Sequence, residues 1–367
     1  MSNVFVLGLA THPPAARLAH LRLEEIAYYT AKAALADAGV TRRQLDSVTL
    51  ASSDELDGRP ISSMLMSAAA GGYETDEIKI ADSGASAMCM AYARFLSGES
   101  ELGLVSSWCK SSKTDVDAIS RFGADPFFYR PLGIDRLVTD AVLAQCLSEE
   151  FAIDANEVAA RVHNGYLRGA RNPRGMRHQV PSLEHIQASP YESTPLRRLH
   201  RAPLTDGAVS LVLASADYVR ARGIQPLAEL MGIGWATDAY QMGAARLRRM
   251  DSARKAADMA LKAAGLKSFD DLDVVELECQ TGFHEAALVR ALGIDKEEAL
   301  CPSGGVYAQN PLFCTGLVNA AEAVLQVCGR AGPVQRPNVR RAAAHGCHGF
   351  AQQGNTVMVF QSVEAMQ

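Results

Sequence analysis

No stretch of 18 consecutive apolar residues occurs in this chain of 367, so its sequence offers no membrane-spanning helix. No signal-peptide pattern follows Met1, which leaves a cytoplasmic location as the expectation. None of the eight cysteines forms a Cys-x-x-Cys pair, which argues against a zinc site, and no other metal site is expected. Their scatter through apolar segments suits buried thiols in a reducing compartment. Positive charge is not in excess. The net charge of -5 argues against bulk attraction to nucleic acid or to an anionic membrane. What remains is an ordinary soluble composition, 48% hydrophobic and 21% charged, in a chain long enough for two domains.

What is present is an internal repeat. Residues 31–50 read AKAALADAGVTRRQLDSVTL and residues 257–277 read ADMALKAAGLKSFDDLDVVEL. Each is a helix-period run stopped at Ala-Gly, then a polar connection, then a short β-branched strand. The flanks repeat as well, with VFVLGLAT before the first helix and LAELMGIGWAT before the second. The first half continues with a helix at about 60–71, the strand EIKIA, a helix at about 84–97 and the strand ELGLVSSW. The second continues with a helix from about Phe283 to Leu292, then ALCPSGGVYA, a helix through TGLVNAAEAVLQVCG and the closing strands RRAAAHGCHG and NTVMVFQSV. Strands alternating with helices predict mostly parallel sheets covered on both faces. Two such halves give a five-layered α/β/α/β/α sandwich.

Between the halves runs a long excursion with helices near 135–150 and 155–168, and the chain returns through APLTDGAVSLVLAS. The expected organisation is an N-terminal half of residues 1–110 plus 200–222, a loop or cap of 111–199, and a C-terminal half of 223–367. Long excursions of this kind are usually functional.

The stretch IADSGASAM, Ile80 to Met88, links a strand to a helix, where acyl-transfer enzymes place a nucleophile, but it holds no cysteine. This stretch, the segment from Ser189 through APLTDGAVSLVLASADYVRARG, the loop SGGVYAQNP and the hairpin GCHGFAQQGNTVMVF occur in an order and spacing that resemble the thiolase superfamily, in particular its sterol-carrier-protein type. The resemblance covers essentially the whole chain. It implies the thiolase fold, an α/β fold of duplicated βαβαβαββ halves, and chemistry on acyl-coenzyme A thioesters with no tightly bound cofactor.

A thiolase uses a cysteine at a helix start as nucleophile, a histidine to accept its proton, a second cysteine as acid/base, and groups that stabilise oxyanions. The family's Cys-x-Ser-Gly-x-x-Ala, laid on ADSGASA, matches Ser83, Gly84 and Ala87 and puts Ala81 at the nucleophile. A shift of one residue would put Asp82 or Ser83 there, and Cys89 lies two helical turns on. The histidine of Gly-His-Pro falls on Asn310, before Pro311, and that of His-Asp-Cys-Phe-Thr falls on Leu277, while Cys279 and Thr281 match. Cys347 retains the acid/base position. Losing a member of such a unit costs about 10⁴–10⁶-fold in turnover, so ordinary thiolase activity of this chain alone is not expected.

Each remaining candidate has a structural alternative. Cys347 is either a proton shuttle or a buried thiol kept for packing. On a regular strand His348 would point to the opposite face from Cys347, so His345 is expected to be the better partner for it. Tyr307, near the lost histidine, is compared with the tyrosine of thiolase-like retro-aldolases, with packing as the alternative. Asp82 and Ser83 are first of all helix caps. His284 opens a helix and could reach the old pocket, with a solvent or capping role favoured. The excursion's Arg161, Arg168, Arg171, Arg174 and Arg177, with Arg197, Arg198 and Arg201, suit coenzyme A phosphates or an acidic partner. For coenzyme A the expectation rests on Arg168, Arg171, Arg174 and Arg177.

Two functions compete. One is a non-catalytic subunit of a heteromeric thiolase complex, a thiolase-fold homo- or heterodimer, with a small OB-fold, zinc-ribbon partner implied by the resemblance. It accounts for three motifs lost together while Gly84, Gly207, Gly304 and Gly305 remain, and it is favoured. The other is a retro-aldolase-like enzyme on acyl-CoA that needs no nucleophilic cysteine.

Overall fold

The computed structural model describes residues 3–176 and 179–363. Labels below cover the strands of the main sheet and the helices of more than ten residues. The strands are β1 (Val4–Thr11), β2 (Ser47–Ala51), β3 (Asp76–Ile80), β4 (Leu102–Lys110), β5 (Asp206–Ser215), β6 (Ala228–Thr237), β7 (Val274–Glu276), β8 (Arg341–His348) and β9 (Gly354–Gln361). The helices are α1 (Leu23–Asp37), α2 (Gly84–Ser97), α3 (Arg136–Phe151), α4 (Ala155–Arg171), α5 (Asp251–Ala263), α6 (Gly282–Leu292) and α7 (Thr315–Val327).

The nine strands form one sheet in the order β3-β2-β4-β5-β1-β6-β9-β8-β7. The order mirrors itself about the β1–β6 junction, where Val4 pairs with Leu230 and Val6 with Ala228. β2 runs parallel to β3 and β4, and β7 parallel to β8; β5 and β9 run antiparallel to their neighbours. The repeat seen in the sequence is therefore a repeat in space. Its two Ala-Gly stops place Gly39 and Gly265 at φ +66° and +71°, a left-handed conformation that glycine adopts without a Cβ clash.

α1 packs on β1, β4 and β5, and α5 packs on β6 and β9, so each covers an outer face. α2 and α7 touch each other and strands of both halves, and form the middle layer. The five-layered sandwich follows. Every residue of α7 is buried, as expected of a helix with sheet on two sides, and its TGLVNAAEAVLQV is apolar apart from one hydrogen-bonded stripe, Thr315, Asn319, Glu322 and Gln326. Two expectations differ. The sheet is not mostly parallel, since five of its eight strand pairings are antiparallel, and one expected helix is absent. In place of a helix at about 60–71 there are two four-residue turns, Asp54–Asp57 and Ser63–Met66. Gly58, at φ +70°, ends the first, and Pro60 follows within two residues. No helix among the described residues is long and apolar enough to cross a membrane.

Candidate active-site cleft

The strand-to-helix turn after β3 is held by local chemistry. Ser83 is the N-cap of α2, its Oγ accepting from the Ser86 amide at 3.2 Å. The Gly84 amide donates to the Phe313 carbonyl at 2.9 Å. Ala81 and Asp82, just ahead of the cap, are exposed and line a cleft of about 420 Å³. Cys347, His348 and Gly349 from the end of β8, Glu278 and Gln280 from the segment after β7, and Arg136 and Asp140 from α3 line the same cleft. The fold thus brings Ala81 and Cys347, the residues that the resemblance sets at the nucleophile and acid/base positions, to one cavity.

Of the other two motif positions, only Asn310 connects to this cavity, through hydrogen bonds. Asn310 is fully buried. Its Nδ2 donates to Gln280 Oε1 at 2.9 Å, and its Oδ1 accepts from Gln280 Nε2 at 3.3 Å and from Thr315 Oγ1 at 2.8 Å. Gln280 Nε2 also donates to Glu278 Oε1 at 3.1 Å, and the Cys347 amide donates to Glu278 Oε2 at 3.2 Å. One hydrogen-bonded chain, Thr315–Asn310–Gln280–Glu278–Cys347, therefore runs behind the cleft. Leu277, at the other lost histidine, instead lies in the apolar core, 1% exposed. Alternation along the extended segment turns Leu277 and Cys279 into the core and Glu278 and Gln280 to the cleft.

Burial sets the protonation states. It pushes the Glu278 carboxyl up to about 8, against the opposing pull of the Cys347 and Gln280 N–H donors, so this acid is neutral at pH 7. It also drives the Cys347 thiol well above its ordinary value, with Glu278 adding to the rise. The thiol donates to the Glu278 backbone carbonyl, Sγ to O 3.5 Å. Burial lowers the pKa of His348, opposed by Asp82, whose Oδ2 lies 4.0 Å from His348 Nε2. The cleft thus pairs a neutral carboxyl acid with a neutral imidazole. Sequence reasoning missed Glu278, Gln280 and Asp140. The acidic residue inside LECQT was the available signal for the first.

Several expected site residues lie elsewhere. His345 is on β8 but does not line the cleft; its Nε2 bonds Asn355 Oδ1 at 2.8 Å, and burial lowers its pKa to about 4. It is no partner for Cys347, whose thiol turns to Glu278. Tyr307 is 2% exposed and packs on Tyr166, ring centroids 5.1 Å apart, and on Gly165, where any Cβ would strike its ring. Its hydroxyl finds no hydrogen-bond partner, so it takes the packing role. His284 is neither cap nor solvated. Thr281 caps α6, and the His284 ring is fully buried with both nitrogens unpartnered beside a cavity of about 20 Å³.

Most of the excursion's described arginines meet carboxylates. Arg168 faces Glu285 at 3.7 Å, and Arg174 binds the buried Glu322 through Nη2 at 2.6 Å and the Ala331 carbonyl. Arg161 meets Glu157, Glu285 and Glu297, and Arg201 meets Asp117 and Glu192. Arg171 is exposed at the end of α4. Arg177 lies outside the described residues. None of the described arginines expected to hold coenzyme A lines the cleft; carboxylates distant in sequence already occupy most of them.

No family model matches the chain. Over 220 residues, 54% of this chain, it is 27% identical to sterol carrier protein 2 of Gallus gallus, covering 40% of that protein. Over 228 residues, 57% of this chain, it is 27% identical to an acetyl-CoA acetyltransferase of Methanothermobacter thermautotrophicus, covering 59% of it. The matches thus span less than two thirds of these relatives. Among solved structures, human mitochondrial 3-ketoacyl-CoA thiolase in complex with CoA superimposes with a TM-score of 0.79 at 19% identity over 98% of both chains. A structure described as the Ltp2-ChsH2(DUF35) aldolase superimposes with a TM-score of 0.80 at 17% identity, again over 98% of both. The chain has the thiolase fold.

Proposed function

We propose that this chain cleaves or forms a carbon–carbon bond in an acyl-coenzyme A thioester without a covalent acyl-enzyme, as in a retro-aldol reaction. One observation carries the reading. The vacancy at Ala81 opens on a cleft that keeps Cys347 and adds a neutral acid, Glu278, and a neutral base, His348. Pairs of titratable groups held apart in this way divide acid from base. His348 takes the β-hydroxyl proton. The bond between the α and β carbons then breaks, its electron pair moving to the thioester carbonyl as an enolate and leaving an aldehyde or ketone. Glu278 returns a proton to the α carbon. No bond to the protein forms, so alanine at position 81 costs this chemistry nothing. The likeness to a structure named an aldolase together with a second protein supports the class, and a small partner that helps hold the thioester is part of the proposal.

The test is to incubate the purified chain with β-hydroxyacyl-CoA thioesters and follow carbonyl release and the shortened thioester by chromatography. Release without any acyl adduct in the intact mass is expected, and Glu278→Gln should reduce it at least about 100-fold. An acyl adduct on the protein would overturn the reading.

A second reading, a non-catalytic partner of a cysteine-bearing thiolase, is favoured by Asn310, whose side chain is wholly engaged in a structural amide pair. Turnover that appears only when such a thiolase is added would support it.

A further inference from the structure

His348, the last residue of β8, is the cross-strand partner of Gly354, the first residue of β9. Side chains of such a pair stand on one face of the sheet. Glycine leaves that place to the imidazole, and a Cβ on Gly354 would overlap ring atoms Cε1 and Nε2. The backbone of Gly354 is not left-handed, so glycine is needed here for room and not for conformation. Little else fixes the ring. Among the described residues its Nδ1 is buried without a hydrogen-bond partner, and Asp82 Oδ2 stands 4.0 Å from Nε2, beyond hydrogen-bond reach.

The hairpin around the ring is held from several sides. Its turn residues Gly349, Ala351 and Gln352 are left-handed, with φ +77°, +50° and +53°. Residues other than glycine keep that conformation where their surroundings impose it. Arg246 does so here, its Nη2 donating to the Phe350 carbonyl at 2.6 Å and to the Ala351 carbonyl at 3.3 Å. Asn355 Nδ2 donates to the Gln352 carbonyl at 3.0 Å, and Gln353 exchanges two bonds with the backbone of Asp238, at 2.8 and 2.9 Å. On its other side Gly354 pairs with Thr237 of β6. A methyl at 354 would therefore displace the imidazole and not the backbone. We propose that Gly354 is the positioning residue of His348, its absent side chain being the space that turns Nε2 towards Asp82 at the cleft wall. Both His348 and Asp82 line the cavity. The proposal rests on the reading of His348 as the base, and adds what fixes the direction from which the β-hydroxyl proton is taken. Misplacing a reacting group by about 1 Å can cost about 100-fold in rate.

The experiment is a double-mutant cycle on the full chain, Gly354→Ala and His348→Ala singly and together, read by urea denaturation. The methyl should lower the midpoint while the imidazole is present and leave it nearly unchanged once the imidazole is gone. An equal loss in both backgrounds, or unfolding in both, overturns the proposal. A second readout follows the ring by NMR of ¹³C-labelled histidine, the His348 signal being the one lost in His348→Ala. With glycine at 354, Asp82→Asn should lower the His348 titration midpoint by about 0.5 pH unit. With Gly354→Ala the same change should move it by about 0.2 unit or less. An undiminished effect overturns the positioning role. Turnover of a β-hydroxyacyl-CoA tests the base reading separately. Gly354→Ala should lower kcat about 100-fold and leave KM within about 2-fold. Full kcat with a displaced ring, or an inactive wild type, removes His348 as the base while the placement of its ring by Gly354 stands.

Discussion

Asn310 and Gln280 form a reciprocal amide pair in the interior, each donating to the other's carbonyl oxygen at 2.9 and 3.3 Å. The pair occupies the ground on which the resemblance predicted a histidine, and ties the loop before α7 to the segment after β7. Its function is structural as well as local to the cleft, because the backbone of Asn310 also exchanges bonds with Thr205 at the entry to β5.

Asn310→Ala should therefore destabilise the fold. It strands Gln280 and the Thr315 hydroxyl, and unsatisfied buried groups cost about 1–3 kcal/mol each. A loss of roughly 3 kcal/mol in urea denaturation is expected. A change under about 0.5 kcal/mol would mean that the pair is dispensable.

Ala81→Cys tests the vacancy itself. The new thiol would sit exposed just before the N-terminus of a 14-residue helix, where the helix end favours thiolate. It should react with iodoacetamide at pH 7 at least about 10-fold faster than any native cysteine; six of these are buried and two half-buried. With acyl-CoA it should form one acyl adduct that persists, since Asn310 cannot act as the general base that resolves it. The measurement is intact mass against time. No adduct would place position 81 away from the reacting thioester.

Much of this was readable in the sequence, for identifiable reasons. α2 fell at 84–97 as expected, because Ser83 and Gly98 cap it at both ends with local chemistry. The matched Ala-Gly stops revealed the duplication. Ala81 and Cys347, picked by motif spacing, line the same cleft. The residues that were missed share a different cause. Glu278 and Leu277 are adjacent, and only the direction in which the chain leaves β7 decides which one meets the cleft. Asp140 and Arg136 look like any i,i+4 pair on a solvated face until packing buries the helix. The arginines of α4 and beyond read as a phosphate site because their partners, Glu285, Glu297 and Glu322, lie more than a hundred residues away in the chain.

Arg174→Ala separates those two roles for an arginine. It would leave Glu322, 1% exposed, without its ion-pair partner. Removing one side of a buried pair costs about 3–5 kcal/mol, so a large drop in the denaturation midpoint is expected. Affinity for a CoA thioester, measured by calorimetry below the unfolding range, should stay within about 2-fold of wild type. A loss of affinity with unchanged stability would restore the phosphate role.

Glu278 gives the protein a distinctive dependence of stability on pH. Burial raises this carboxyl from 4.5 to about 8 in the folded state. Between those values the folded chain carries the proton and the unfolded chain does not. Stability therefore falls as pH rises through this window, by up to about 1.4 kcal/mol per pH unit for this group. Glu276, pushed up to about 7 by burial and by the nearby Glu322, acts in the same direction over a shorter range. Glu278→Gln removes only the first contribution, since glutamine does not titrate. Urea denaturation at pH 5 and pH 8 should show a smaller decline for the variant than for wild type, the gap amounting to a few kcal/mol, order of magnitude. Parallel declines in the two proteins would mean that Glu278 is ionised at neutral pH. It would then be unable to donate the proton that the proposed reaction requires of it.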